Sequence, residues 1–119
     1  MRIESPPSGA VLDVEGTLAR FDGDRQLFQE IIGFFLEDSP PLLAELRRAV
    51  EVAHAPAVRS TAHALRGLAA GCGGVRAAQA AQRVEHAGTE GRLANIDSLI
   101  GTLEGEFELL RRAACAVRS

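Results

Sequence analysis

The spacing of apolar residues near the C-terminus constrains the fold more than any other feature of this sequence. Large apolar residues recur there three or four positions apart, at Leu93, Ile96, Ile100, Leu103, Phe107 and Leu110. This spacing puts their side chains on one side of an α-helix, as in the seam of a helical bundle. The composition agrees, because Ala, Leu, Arg and Glu dominate while Trp and Tyr are absent. The sequence therefore predicts an all-α protein.

The length of 119 residues suits one domain with a single core. Residues 1–10 are rich in Ser, Pro and Gly and are expected to form a disordered leader or linker, with a single helical domain over residues 11–119. Asp13 is a candidate N-cap for a short helix, and Asp24 for the helix that follows. The predicted architecture is an up-down, antiparallel four-helix bundle with a short extra N-terminal helix. The third helix is expected near 56–71 and the fourth near 75–87.

The second helix contains a proline pair that interrupts its pattern. Its apolar residues are expected to face the core, and Pro40-Pro41 removes backbone donors from the middle of the helix. The sequence alone is consistent with one kinked helix or with two abutting helices. The residues predicted on the inner side are Leu27, Ile31, Phe34 and Phe35.

Charge and composition exclude several classes of function. The net charge is −3 and the basic residues are scattered, whereas a nucleic-acid-binding protein carries a clustered basic surface. All basic residues are Arg, so there is no lysine for Schiff-base chemistry or for the phosphate-binding loop of an ATPase. Cys72 and Cys115 form no CxxC pair, and no apolar run is long enough for a membrane span or a signal peptide. We expect a cytoplasmic monomer without nucleic-acid or membrane partners.

The third helix carries the most informative surface. Val58, Ala62, Leu65, Ala69 and Cys72 form its predicted buried stripe, and His63 points about 140° away from the centre of that stripe. Small residues lie around the histidine, and Gly in the interior of a helix costs about 1 kcal/mol relative to Ala. The pattern indicates a surface cleared for a partner, with arginines that suit an anion held at the ring. The small residues are Ala64, Gly67 and Ala70, and the flanking arginines are Arg59 and Arg66.

Simpler interpretations of the same residues stay open. His63 can be an ordinary solvated histidine, and Gly67 can be a packing glycine where the fourth helix crosses the third. His54 and His86 are competing candidates for a reactive histidine. A metal site is not expected, because no closely spaced Cys or His pair is present and Cys72 falls on the opposite side of the helix from His63.

The segment Thr61-Ala62-His63-Ala64-Leu65-Arg66-Gly67, with Gly73 after it, resembles the signature of histidine-containing phosphotransfer (Hpt) domains. These helical modules relay phosphoryl groups in bacterial two-component phosphorelays. Val84-Glu85 stands where the family carries a Leu-Glu pair, and the stretch from Phe35 to Arg47 is similar to the helix that precedes the histidine helix in the family. The resemblance covers about residues 11–112. Arg66 replaces the usual Lys, and Gly71 and Gly74 make the segment after the histidine so rich in glycine that its end is expected to fray.

The resemblance implies a role for each matching residue. His63 would be the phosphoacceptor, Arg66 would hold phosphoryl oxygens, Gly67 would let a partner approach closely, and Glu85 would be a polar neighbour of the histidine. The surface for partner docking would include Arg59, Ala64, Leu68 and Ala70, together with apolar residues of the first and second helices.

The implied partners are receiver domains of response regulators and a hybrid or sensor histidine kinase. The chain would be a phosphocarrier without an ATP site or cofactor of its own, and Mg²⁺ would belong to the receiver. Two alternatives stay open. One is a degenerate adaptor that binds receivers without carrying phosphate, and the other is a plain helical bundle that oligomerises.

Overall fold

The computed structural model describes residues 9–118 and contains five helices and no strand over that range. The all-α prediction is therefore confirmed. The predicted disordered leader lies mostly outside the described residues. The helices are α1 (Val14–Arg20), α2 (Arg25–Glu51), α3 (Ala55–Cys72), α4 (Val75–Thr89) and α5 (Ile96–Arg118).

Helices α2 to α5 form a bundle in which α3 lies between α2 and α4, and α5 closes the ring against α2 and α4. The core is made of buried aliphatic residues and three phenylalanines, of which Phe35 and Phe107 stack with ring centroids 5.9 Å apart. The apolar seam predicted near the C-terminus is buried from Ile96 to Leu110, while Leu93 precedes α5 and is half-buried. No helix within residues 9–118 has the length and apolar character that a membrane span requires.

The second helix is continuous through its two prolines. Pro40 and Pro41 are both exposed, so water can bind the carbonyl groups that lose their amide partners, while Phe35 and Leu46 hold the two halves against the core. The predicted inner face of α2 was partly wrong. Leu27 is 36% exposed and Phe34 53% exposed, because the buried face of the helix is centred on Phe28, Ile32 and Phe35 instead.

The third helix ends in a well-formed cap, so the expected fraying is wrong for the described structure. Gly73 adopts a left-handed conformation with φ +93°, its amide donates to Ala70 O and the amide of Gly74 donates to Ala69 O. This pair of hydrogen bonds is the Schellman motif, which satisfies the last carbonyls of a helix. Arg20 of α1 donates to two further carbonyls of this end, those of Ala70 and Gly71.

Candidate functional site

The core packing of α3 determines which way His63 points. Val58, Ala62, Leu65, Ala69 and Cys72, the predicted buried stripe, are all fully buried. A side chain on the opposite side of the same helix must face solvent, and the His63 side chain is accordingly 61% exposed. The sequence-based prediction of an outward histidine is confirmed.

Two charged side chains hold one nitrogen of the His63 ring. Nδ1 lies 2.9 Å from Oε2 of Glu85 on α4 and 3.1 Å from Nη2 of Arg66, three positions further along α3. Glu85 Oε1 in turn lies 2.8 Å from Arg66 Nε, as an ion pair that lacks the alignment of a hydrogen bond. The glutamate is the most buried member, with 19% of its side chain exposed. The three side chains therefore form one charged cluster across the α3–α4 contact.

The two neighbours of Nδ1 favour different tautomers of the ring. A carboxylate oxygen only accepts hydrogen bonds and so favours a proton on Nδ1, whereas the guanidinium only donates and favours an unprotonated Nδ1. The carboxylate contact is the shorter of the two. A proton on Nδ1 leaves the lone pair on Nε2, which makes no hydrogen bond to any residue between 9 and 118. In this tautomer the exposed ring nitrogen is a nucleophile.

The surface beside the histidine has open space at two glycines. A Cβ atom built on Gly67 or on Gly71 would meet no atom of the described chain within 4 Å. The alternative interpretation of Gly67 as a packing glycine is therefore wrong, since neither α4 nor any other described element contacts that position. The close crossing of α3 and α4 uses Gly88 instead, where a Cβ would lie 2.8 Å from the backbone nitrogen of Arg59.

The second glycine of the motif has a structural role. A Cβ on Gly73 would lie 2.1 Å from Thr17 Oγ1 and 2.8 Å from the carbonyl of Asp13. The Gly73 carbonyl also accepts a hydrogen bond of 2.9 Å from the Asp13 amide. Gly73 therefore fixes α1 against the end of α3, whereas Gly67 leaves the surface open.

The remaining predicted docking residues surround the histidine on both sides. Arg59 and Ala70 are exposed, and Ala64 and Leu68 are half-buried. Arg59 makes no ion pair with any residue of the described range, in contrast to Arg66. On the side that faces α2, a groove of about 540 Å³ is lined by Asp38, Leu42, Ala64, Gly67 and Leu68.

Comparisons with known proteins agree with this geometry. A family model for the Hpt domain matches residues 30–113, which is most of the chain. The chain belongs to the Hpt family. Its fold is also similar to the crystal structure of the histidine-containing phosphotransfer protein HptB from Pseudomonas aeruginosa PAO1, with a TM-score of 0.82 and 26% identity over 91% of this chain and 94% of that one. No match was found among curated protein sequences.

The other histidines of this Hpt domain have contacts of a different kind. His54 is the N-cap of α3, and its Nδ1 accepts a hydrogen bond from the Ala57 amide. His86 forms an exposed ion pair with Glu90, with 3.0 Å between Nε2 and Oε2. Glu90 also pairs with Arg92, but this second His–Glu–Arg cluster is more exposed, with 43% of the Glu90 side chain exposed against 19% for Glu85. Over residues 9–118, no group of three or more His, Cys, Asp or Glu side chains is arranged to bind a metal ion.

Sequence reasoning predicted the outward direction of His63 but missed part of its surroundings. The Hpt resemblance gave Glu85 only as a polar neighbour, and the structure shows that it contacts both His63 and Arg66. A partial signal existed, because Glu85 directly follows the buried Val84 and therefore lies at an edge of the buried face of α4. The groove residues Asp38 and Leu42 were also missed, since their position depends on how α2 lies along α3.

Proposed function

We propose that this Hpt protein accepts a phosphoryl group on His63 from the aspartate of one receiver domain and passes it to the aspartate of another. The proposal rests on the arrangement of the His63 ring. Glu85 binds Nδ1, while Nε2 is exposed on a surface where Gly67 leaves space for a partner. The family is one of phosphotransfer modules in two-component relays, and this geometry supports His63 as the residue that carries the group.

The transfer step follows from the tautomer that Glu85 favours. The lone pair of Nε2 attacks the phosphorus of an aspartyl phosphate, the N–P bond forms as the O–P bond breaks, and the aspartate leaves with the electron pair as a carboxylate. The proton stays on Nδ1, and the resulting positive ring lies 2.9 Å from the Glu85 carboxylate. Return of the group to a second aspartate reverses these changes. Such in-line transfer depends mainly on positioning and on charge stabilisation.

Arginine side chains of α3 supply the positive charge. Arg66 contacts Glu85 through Nε and His63 through Nη2, so the guanidinium keeps further N–H donors for phosphoryl oxygens. Arg59, four positions before the histidine, is exposed and unpaired within residues 9–118, and would meet the acidic surroundings of the receiver aspartate. We assign Mg²⁺ to the receiver, in line with the family resemblance.

The proposed partners are receiver domains and a hybrid or sensor histidine kinase, in the cytoplasm, with this chain as a monomeric phosphocarrier. Close approach of the receiver would occur at Gly67, and Ala64, Leu68 and Ala70 would contribute the surrounding docking surface. Comparing the rates of transfer to and from His63 for each receiver measures the direction of phosphoryl flow.

The test is phosphoryl transfer from phosphorylated receiver domains encoded in the same genome, with wild type, His63→Gln and His86→Gln compared. Intact mass is read at neutral to alkaline pH, where phosphohistidine survives. We expect a gain of one phosphoryl group in wild type and His86→Gln, and none in His63→Gln. A gain of mass that persists in His63→Gln would show that another residue carries the phosphoryl group. Receivers that bind wild type but never phosphorylate it would identify the protein as an adaptor.

A further inference from the structure

The groove between α2 and α3 combines an apolar floor with one carboxylate. Asp38 and Leu42 lie one turn apart on α2, and Ala64, Gly67 and Leu68 form the opposite wall on α3. The two smallest of these residues, Ala64 and Gly67, give the groove its width, and its volume is about 540 Å³. Because Gly67 lines the groove and lies one turn from His63, a receiver docked at His63 and Gly67 would lie beside this groove.

Asp38 has no partner within the described chain. It is exposed and makes no ion pair or hydrogen bond through its side chain to any residue of 9–118. No arginine of the described segment lines the groove, and Arg66, the arginine next to Gly67 in the sequence, pairs with Glu85 on the α4 side. A partner that covered Asp38 with apolar or acidic groups would leave a desolvated or repelled charge at the interface.

We propose that this groove receives a lysine or arginine side chain of the docking receiver, with Asp38 as its counter-ion. Long basic side chains lay their methylene stems on apolar surface and keep their charged end at a polar group. Leu42 and Leu68 would contact the stem, and Asp38 would bind the cation. The inference rests on the proposed function, and it names a residue of this chain that selects among receivers by charge.

The experiment compares two adjacent carboxylates of α2. Asp38→Lys and Glu37→Lys change the net charge equally, but Glu37 is exposed on a different side of the helix and does not line the groove. The probe is the receiver domain that phosphorylates wild type fastest, and the readout is the second-order rate of transfer to His63. We expect Asp38→Lys to slow transfer by about tenfold or more and Asp38→Asn by a smaller factor, with Glu37→Lys within about twofold of wild type.

Two further measurements sharpen the result. The wild-type rate should fall with added salt more steeply than the Asp38→Asn rate, because salt screens the proposed pair. A charge-reversed receiver, with one interface Lys or Arg changed to Glu, should restore transfer to Asp38→Lys and not to Glu37→Lys. Equal slowing of the two lysine variants would reduce the effect to net charge and overturn the proposal, as would wild-type rates in Asp38→Lys.

The failure of this inference is distinguishable from failure of the proposed function. If wild type gains no phosphoryl group from any receiver, the proposed relay function is wrong. The groove is then tested by calorimetry, which compares the affinity of the same receivers for wild type, Asp38→Lys and Glu37→Lys. Weaker binding of Asp38→Lys alone would support the groove proposal, and unchanged binding or no binding to wild type would overturn it.

Discussion

Replacement of Gly67 by alanine is expected to change the stability of the protein and the rate of phosphoryl transfer in opposite directions. A Cβ at this position meets no described atom within 4 Å, so the methyl group causes no clash within the chain. Alanine is favoured over glycine inside a helix by about 1 kcal/mol. We therefore expect Gly67→Ala to raise the free energy of unfolding by about 1 kcal/mol and the Tm by about 4 °C.

The same methyl group would project from the surface that we propose faces the phosphorylated receiver. Close approach of donor and acceptor is the main contribution to in-line transfer, and displacement by an ångström costs up to about 100-fold in rate. We expect Gly67→Ala to slow transfer to His63 by about tenfold or more. The matched control is Gly101→Ala on α5, an exposed helical glycine whose Cβ would likewise meet no described atom within 4 Å. It should gain the same stability and keep the wild-type rate.

A third glycine gives the opposite result for stability. Gly73→Ala places a Cβ against Thr17 and Asp13 at a φ of +93°, so we expect a loss of about 2 kcal/mol or more. Thermal and denaturant unfolding followed by far-UV circular dichroism measures stability, and rapid-quench intact mass measures transfer. The reasoning would be refuted if Gly67→Ala transferred phosphate at the rate of Gly101→Ala, because the open surface would then serve no partner.

Two further predictions concern Glu85 and Cys72. Glu85→Gln keeps a hydrogen-bond acceptor near His63 but removes its charge, so we expect transfer about tenfold slower at saturating receiver. The ¹⁵N chemical shifts of the His63 ring should also move toward the tautomer with the proton on Nε2. An unchanged tautomer would contradict the role of Glu85. Burial raises the pKa of the Cys72 thiol to about 11, whereas an unfolded thiol titrates near pH 8.5. The folded state therefore holds its proton longer, and the free energy of unfolding should fall by about 3 kcal/mol in total as pH rises through that interval. The chain has no Lys or Tyr to mask this effect, and Cys72→Ala should abolish it.

The local parts of this fold could be predicted because they depend on neighbouring residues. The buried stripe of α3, the outward direction of His63 and the caps at Asp13 and Asp24 follow from helical periodicity and from side-chain hydrogen bonds over three positions. The inner face of α2 was predicted less well. Phe34 has the apolar character of a core residue, but adjacent helical residues point about 100° apart, and Phe35 takes the core position beside Phe107 while Phe34 is 53% exposed.

At the candidate site, contacts between helices could not be predicted from the sequence of one helix. Helical spacing alone does not distinguish Arg59 from Arg66, since each flanks His63 by about one turn of the same helix. The structure makes them different because α4 brings Glu85 to Arg66 and to the ring, while Arg59 pairs with no residue of the described range. In the proposed function, Arg66 would therefore be held in place for the phosphoryl group, and Arg59 would stay available for an acidic partner. The difference in pairing depends on the contact between α3 and α4, which the helical spacing of α3 alone does not contain.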